Sequence, residues 1–205
     1  MNKYTKSIVS SGHPLVREAE AIVLKEGGNA FDAVVAAGFA SSAVEPALNS
    51  LGGGGLLLGH SAATGQNLFF DFFVDTPGLG LKDPIDEPHF FPVTVQFSGS
   101  EQDFNVGLGS VAVPGTLKGL LHIHKRLGYM DLSEVVAPAI QFAKGHRLNT
   151  KQAYFLKLLY PIMCLLPDGR AIYEPGGKYL QEGDQLVKYA LAAFIENAAA
   201  DGGDD

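Results

Sequence analysis

The sequence predicts an α/β (α+β) layered fold, in which helices cover a sheet that begins with a hairpin. Two helical patterns come first, at residues 14–26 and at about residues 30–43, and the second is apolar almost all the way round. Two apolar runs follow at residues 56–60 and 66–72, separated by a short loop that contains Gly65. An amphipathic helix, a buried helix and a hairpin in this order indicate layers that bury one another's apolar faces.

Both helices have recognisable ends. Pro14 suits the first turn of a helix, where its missing N–H has no helical partner, and apolar residues recur after it at helical spacing. Gly27 and Gly28 can adopt the left-handed conformation that ends this helix. Asn29, with Asp32 three positions later, predicts a side-chain cap for the second helix, which we expect to pack on a sheet.

Four consecutive glycines, residues 52–55, invite comparison with a phosphate-binding loop. Such loops follow a strand and open a helix, whereas these glycines follow a helix and lead into the apolar run that begins at Leu56. The reversed order disfavours nucleotide binding. It favours a turn where the backbone packs closely or lines a cleft.

Residues 77–105 are rich in Pro, Gly, Asp and Phe and have no sustained period, which predicts a long excursion over the surface. Within this excursion, residues 91–97 are compatible with an edge strand that has its proline near the start.

A strand, a turn and a helix are predicted next. Residues 111–113 have the composition of a strand, Thr116 is expected to cap a helix that runs to Leu127, and Gly128 ends that helix. Residues 131–134 carry a capping-box pattern at the start of the following helix.

Helical patterns recur at residues 151–159 and 186–197, on either side of a segment rich in Pro, Gly and Asp at residues 167–183. Residues 198–205 have the composition of a connection between elements.

Composition limits the classes of function. The chain has 205 residues, is 46% hydrophobic and has a net charge of -7 without a basic run, which predicts a single domain and excludes an electrostatic footprint for nucleic acid or for an anionic membrane. The one cysteine, Cys164, lies among apolar residues, so we predict a buried and inert thiol.

No metal site is expected from the histidines. His122 and His124 are two residues apart on a predicted helix, where side chains diverge. The other histidines are scattered and are interpreted as structural. They are His13, His60, His89 and His146.

The N-terminal residues carry positive charge but no apolar run of the length that a secretory signal needs. This pattern predicts a cytoplasmic protein. The alternative is a periplasmic protein whose signal was removed before this numbering begins.

Two groups of motifs give the chain a resemblance to the γ-glutamyltransferase (γ-glutamyltranspeptidase) family. The first group is Ser11-Gly12-His13-Pro14, Gly27-Gly28-Asn29-Ala30, Asp32-Ala33, Glu45-Pro46 and Leu51-Gly52-Gly53-Gly54-Gly55. The second group is Gly109-Ser110-Val111-Ala112-Val113-Pro114-Gly115, Gly119, Leu127-Gly128, Leu132, Pro138-Ala139-Ile140 and Ala143.

The resemblance implies a fold and an assembly. Residues 1–205 would form a single incomplete domain, the N-terminal part of the large subunit and of an αββα four-layer sandwich of the N-terminal nucleophile hydrolase type. The rest of that subunit and a small subunit would be the chain's partners. In the family the glycine loop lies near the active site.

The resemblance also implies a reaction. A precursor cuts itself, and the freed threonine at the head of the small subunit attacks a γ-glutamyl amide such as glutathione, its own amine serving as base. The acyl group then passes to water or to an amino acid, without a metal or organic cofactor. No stretch here resembles the cleavage motif, so the sequence provides no catalytic residue, and we expect this chain to be inactive by itself.

One large-subunit residue of the family, an arginine, pairs with the α-carboxylate of the γ-glutamyl group. It belongs to an Asp-Phe-Arg-Glu motif, and the matching segment here is Asp71-Phe72-Phe73-Val74-Asp75-Thr76-Pro77, with Phe73 in the arginine position. A phenyl ring cannot form a bidentate contact with a carboxylate.

Several hypotheses for Phe73 stay open at this point. Another cation could bind the carboxylate, the substrate could be a different and apolar acyl group, or Phe72 and Phe73 could simply pack on the two faces of a strand. A truncated or structural subunit without catalysis is the alternative from a different class.

Overall fold

The computed structural model describes residues 7–82 and 89–202. Its helices and strands in chain order are α1 Pro14–Glu26, α2 Ala30–Val44, β1 Gly55–Ser61, β2 Gln66–Phe72, β3 Phe91–Gln96, β4 Glu101–Val106, α3 Thr116–Leu127, α4 Leu132–Lys144, β5 His146–Arg147, α5 Thr150–Leu158, α6 Tyr160–Met163, α7 Pro167–Tyr173, β6 Gln185–Leu186 and α8 Tyr189–Asp201. The chain divides into two compact units. Among the described residues, unit 1 comprises residues 7–73, 115–144 and 188–202, and unit 2 comprises residues 74–82, 89–114 and 145–187.

The core of unit 1 surrounds α2. This helix is buried on most of its circumference, and α1, α3, α4 and α8 contribute buried apolar residues to the same cluster. The β1–β2 hairpin adds Leu57, Leu68 and Phe72 to that cluster. The predicted sheet therefore covers one part of the apolar surface of α2, and helices cover the rest. A helix that is apolar on all sides needs such partners on several sides.

The predicted cap of α2 is confirmed. The Asn29 side chain accepts hydrogen bonds from the backbone N–H groups of Phe31 and Asp32, and Asp32 Oδ2 accepts one from Asn29 N at 2.9 Å. The predicted ends of α1 also hold, with Gly27 at φ 106°. At the other end of α1, His13 Nδ1 accepts the N–H of Leu15, which agrees with a structural role for this histidine.

Asp32 connects the start of α2 to the end of α3. Its carboxylate is fully buried and also accepts the N–H of Tyr129 at 3.0 Å, while the Asn29 amide donates to the Leu127 carbonyl at 2.7 Å. A buried carboxylate is stable only when hydrogen-bond donors surround it, so these N–H groups fix the α3–α4 turn against α2.

The β1–β2 hairpin is antiparallel, from Gly55 opposite Phe72 to Ser61 opposite Gln66, as the sequence predicts. One face packs on the helices. The other face is exposed and carries Leu56, Leu58 and Phe69. The pleat separates these two faces because successive side chains of a strand point in opposite directions.

Unit 2 contains a second hairpin, β3–β4, and a small helical part. The strand predicted near residues 91–97 is confirmed, but its partner β4 replaces much of the predicted excursion, and residues 83–88 of that excursion lie outside the described residues. Most residues of β4 are polar, so a search for apolar runs does not detect this strand. Within residues 167–183, α7 replaces part of the predicted turn-rich segment.

Three further expectations are tested by the described residues. Cys164 is buried as predicted, and burial raises the pKa of its thiol. Residues 111–113 do not form a full strand, since only Val113 pairs, with Asp75. The last helix, α8, extends to Asp201, so residues 198–201 are helical rather than a connection, and residues 203–205 lie outside the described residues.

Lys188 is a partly buried cation just before α8. Its Nζ donates to the Ser42 carbonyl in the last turn of α2 at 2.9 Å, and burial lowers its pKa to about 8. In the unfolded chain this lysine keeps its proton up to about pH 10.5. Below pH 8 it is protonated in both states, and its desolvated charge lowers the stability of the folded state. This destabilising contribution disappears as the pH rises from 8 to 10.5.

Asp32→Asn is expected to lower the free energy of unfolding by roughly 2–4 kcal/mol, because an amide NH₂ replaces an oxygen that accepts buried N–H groups. Urea unfolding of the chain followed by circular dichroism measures this change. Glu18→Gln makes the same chemical change at an exposed position of α1 and should alter stability by less than about 0.5 kcal/mol. Equal effects of the two substitutions would contradict the role given to Asp32.

The Lys188→Met variant should be more stable than the wild type at pH 7. This difference in unfolding free energy should fall by roughly 2 kcal/mol between pH 7 and pH 10. The measurement is the difference in unfolding free energy between variant and wild type at each pH. Lys25→Met, at an exposed lysine of α1, is the control and should show a difference that stays nearly constant. A constant difference for Lys188→Met would show that its ammonium is not held in a low-pKa environment.

Candidate functional site

The candidate site lies at the end of β2, where the sequence places Phe73. Phe72 turns toward the helices and Phe73 toward the opposite face, where 64% of its surface is exposed. Phe73 follows β2 directly, and continued strand alternation places it on the side of the hairpin that carries Leu56, Leu58 and Phe69. Its backbone N–H donates to Asp71 Oδ1 at 3.0 Å, which holds the end of the strand.

Three glycines surround the residue on the inner face, Phe72. A Cβ added to Gly55 or to Gly119 would lie 2.7 Å or 2.3 Å from the Phe72 ring, and a Cβ added to Gly115 would lie 2.0 Å from the Phe72 carbonyl oxygen. Distances below 3.0 Å are not tolerated by real Cβ atoms. The end of β2 therefore rests directly on the first turn of α3, and this contact fixes the backbone that carries Phe73.

The glycine loop at residues 52–55 reaches the same helix. The Gly53 carbonyl accepts hydrogen bonds from the backbone N–H groups of Gly115 and Thr116, both at 2.9 Å. None of the four glycines has a positive φ, so the loop uses their lack of a side chain rather than an unusual backbone conformation. The predicted close packing of this turn is confirmed.

The predicted cap of α3 is wrong. Thr116 is the first residue of the helix, Gly115 precedes it without a side-chain cap, and the Gly53 carbonyl accepts the N–H groups of Gly115 and Thr116 at this helix end. Thr116 is buried, and its hydroxyl makes no hydrogen bond within the described residues. A loop distant in sequence satisfies the helix end, which local capping rules do not anticipate.

The glycine loop also lines a cavity, as predicted for a cleft. The cavity has a volume of about 480 Å³ and lies between one face of α2 and the edge of β1. Its polar end contains a short chain of hydrogen bonds, in which Ser41 Oγ donates to Glu45 Oε2 and Asn49 Nδ2 donates to Ser41 Oγ, each at 3.0 Å. The Glu45-Pro46 pair of the family motif thus ends α2 at this cavity.

His122 and His124 both lie on α3 and make different contacts. The His122 ring contacts Phe70 edge-on with centroids 6.0 Å apart, whereas His124 Nε2 donates to the Met130 carbonyl at 2.9 Å. The two rings therefore serve different contacts, as their spacing predicts. Cys164 lies in unit 2 and is buried there.

The contact of Phe72 with Gly119 was not predicted from the sequence. The signal was present, because Gly115 and Gly119 are four residues apart and so lie on one face of α3. Two small residues at this spacing allow another backbone to approach a helix closely.

Among the described helices, none is both long and apolar enough to cross a membrane.

Comparison with protein families gives one match over nearly the whole chain. The model of the gamma-glutamyltranspeptidase family matches residues 18–205. Among curated proteins, the chain is 33% identical to an acylase ACY 1 proenzyme of Pseudomonas sp. (strain SE83), covering 98% of this chain and 36% of that protein. It is 31% identical to a glutathione hydrolase proenzyme of Bacillus subtilis (strain 168), covering 96% of this chain and 32% of that protein.

A solved structure shows the same arrangement of elements. Helicobacter pylori gamma-glutamyltranspeptidase superposes with a TM-score of 0.79 at 31% identity, covering 98% of this chain and 56% of the solved chain. The predicted fold class is confirmed as part of that fold. The chain spans about a third of the length of the curated relatives that it matches.

Gly119→Ala should lower the unfolding free energy by roughly 2–4 kcal/mol, since the added methyl group overlaps the Phe72 ring. Gly52→Ala is the control, because its Cβ would meet ordinary contact distances and should change stability by less than about 1 kcal/mol. The double variant Phe72→Leu/Gly119→Ala should recover part of the loss, which a double-mutant cycle measures as a favourable coupling energy. Additive effects would refute a direct contact.

Proposed function

The chain belongs to the gamma-glutamyltranspeptidase family, and from this membership we propose that it is the N-terminal part of an acyl-transferring enzyme. The proposed reaction moves the acyl group of a γ-glutamyl amide such as glutathione to water or to an amino acid. The family match over residues 18–205 carries the proposal, and the names of relatives such as the glutathione hydrolase of Bacillus subtilis support the substrate class.

The nucleophile is proposed to come from the part of the enzyme that follows this chain. There, the hydroxyl of an N-terminal threonine would attack the γ-carbonyl carbon while the threonine amine takes the hydroxyl proton. The C–N bond of the amide breaks, the leaving amine takes up a proton, and an acyl-threonine ester remains. Water or the amine of an amino acid then attacks this ester and restores the threonine.

The contribution of this chain would be to position one end of the substrate. The end of β2 is held by its contact with α3, so residue 73 occupies a fixed place on the exposed face of the hairpin. A side chain that is held in a fixed position and contacts the substrate can orient the acyl group for attack. The expectation that residues 1–205 form one incomplete domain stays a prediction within this proposal.

A second candidate function is favoured by the chemistry of that face. Phe73 lies on the same side of the hairpin as Leu56, Leu58 and Phe69, and each of these four side chains is more than half exposed. Such a surface suits an apolar acyl group and cannot form charge-assisted hydrogen bonds with a carboxylate. The similarity to an acylase proenzyme supports an acylase as this second function.

Phe73→Arg in the complete, processed enzyme should raise kcat/KM for a γ-glutamyl anilide by roughly 30-fold, because a bidentate arginine–carboxylate contact is worth about 2 kcal/mol. The same substitution should lower kcat/KM for an apolar acyl anilide. Phe69→Arg places the same charge elsewhere on the same face and should not raise activity toward the γ-glutamyl substrate.

The wild-type activities distinguish the candidates. Release of anilide from the γ-glutamyl substrate supports the first function, and release from the apolar substrate supports the second. A processed enzyme that cleaves neither substrate would leave a structural, non-catalytic subunit as the correct interpretation. Residues 1–205 by themselves should release no anilide in any of these cases.

A further inference from the structure

A short chain of hydrogen bonds joins the end of α2 to the loop that carries the four glycines. Ser41 Oγ donates to Glu45 Oε2, and Asn49 Nδ2 donates to Ser41 Oγ, each at 3.0 Å. The backbone N–H of Asn49 also donates to the Glu45 carbonyl at 2.9 Å, which closes the turn after α2. The Ser41 hydroxyl therefore bonds to the side chains at both ends of this turn.

The amide oxygen of Asn49 lies beside Gly53. A Cβ added to Gly53 would lie 3.9 Å from Asn49 Oδ1 and 3.7 Å from Thr116 Oγ1. Gly53 is thus placed between the Asn49 side chain and the first residue of α3. Because residue 53 has no side chain, both groups pack close to its backbone, and a shift of Asn49 changes the packing of Gly53.

Gly53 in turn holds the start of α3. Its carbonyl accepts the first N–H groups of this helix, from Gly115 and Thr116, both at 2.9 Å. The same turn lies against the end of β2, since a Cβ added to Gly115 would be 2.0 Å from the Phe72 carbonyl oxygen. Phe73 follows directly, so the position of the glycine loop affects where the side chain of residue 73 lies.

All of these contacts lie within unit 1. The next hydroxyl of α2 makes a different kind of contact, because Ser42 Oγ donates to the Gly38 carbonyl of its own helix at 3.0 Å. Ser41 and Ser42 are therefore adjacent serines of one helix, of which the first bonds to the loop and the second bonds within the helix.

We propose that Ser41 and Asn49 are positioning residues for recognition of the acyl group. Their hydrogen bond holds the glycine loop against α3, and the loop and the helix hold residue 73 in place. The inference rests on the proposed function, in which residue 73 contacts the acyl group. A misplacement of about 1 Å in a group that orients a substrate can cost roughly 100-fold in rate, so a residue that touches no substrate can still influence recognition.

Ser41→Ala in the complete, processed enzyme tests this role. The measured quantity is the ratio of kcat/KM for the preferred acyl anilide to kcat/KM for the other, with a γ-glutamyl and an apolar acyl anilide as the two substrates. This ratio should fall roughly tenfold, because a displaced residue 73 discriminates less between acyl groups. A loss of folded enzyme would lower both values equally and leave the ratio unchanged.

Three variants accompany this measurement. Ser41→Thr keeps the hydroxyl and should keep the wild-type ratio. Ser42→Ala removes a hydroxyl from the next position of α2 and should also leave the ratio unchanged. Asn49→Ala should lower the ratio as Ser41→Ala does, and the double variant should lower it no further, since both substitutions break the same hydrogen bond.

Hydrogen exchange tests the structural link separately from the reaction. In the complete polypeptide, processed or not, mass spectrometry follows a peptide that contains the amides of Gly115 and Thr116. Ser41→Ala should speed exchange in this peptide more than Ser42→Ala does, because the Gly53 carbonyl holds these amides less firmly.

The two measurements separate the possible failures. If the two substitutions speed exchange equally, or if an active Ser41→Ala enzyme keeps the wild-type ratio of kcat/KM, the positioning role is wrong and the proposed function stands. If exchange responds as expected but the wild-type enzyme cleaves neither anilide, the proposed function is wrong, and the positioning role is wrong with it.

Discussion

The close contact between the end of β2 and the first turn of α3 is the constraint on which the described site depends. Gly55, Gly115 and Gly119 leave no room for side chains around Phe72, so the strand lies directly on the helix. The Gly53 carbonyl closes the same junction by accepting the first N–H groups of α3. Closely packed atoms at this junction can move little to make room, so one added methyl group would displace the end of the strand.

This junction gives the two faces of the hairpin different functions. The inner face contributes Phe72 to the core around α2, whereas the outer face exposes Phe73 at a position that the core has fixed. Residue 73 can consequently change its chemistry without any change in packing. In the proposed function, the scaffold would fix the position of residue 73, and the exposed side chain at that position would select the acyl group.

Sequence patterns predicted those elements whose determinants are local. The Asn29 and Asp32 cap, the glycine end of α1 and the hairpin around Gly65 follow from nearest neighbours. The sequence did not predict the capping of α3 by Gly53, because that hydrogen bond joins residues distant in the chain, or strand β4, whose polar alternation has no apolar run. At the site, the motif around Asp71 located Phe73, but the exposure of Phe73 and the glycines that surround Phe72 are properties of tertiary packing.

The proposed function makes this chain part of an enzyme that cuts itself and then carries an acyl group on a threonine. Intact-mass spectrometry of the complete native polypeptide, before and after addition of a slowly released γ-glutamyl or apolar acyl amide, tests it most directly. We expect two chains, the second beginning with threonine, and an acyl adduct on that second chain whose mass identifies the acyl group. A single uncleaved chain that acquires no adduct from either substrate would contradict it.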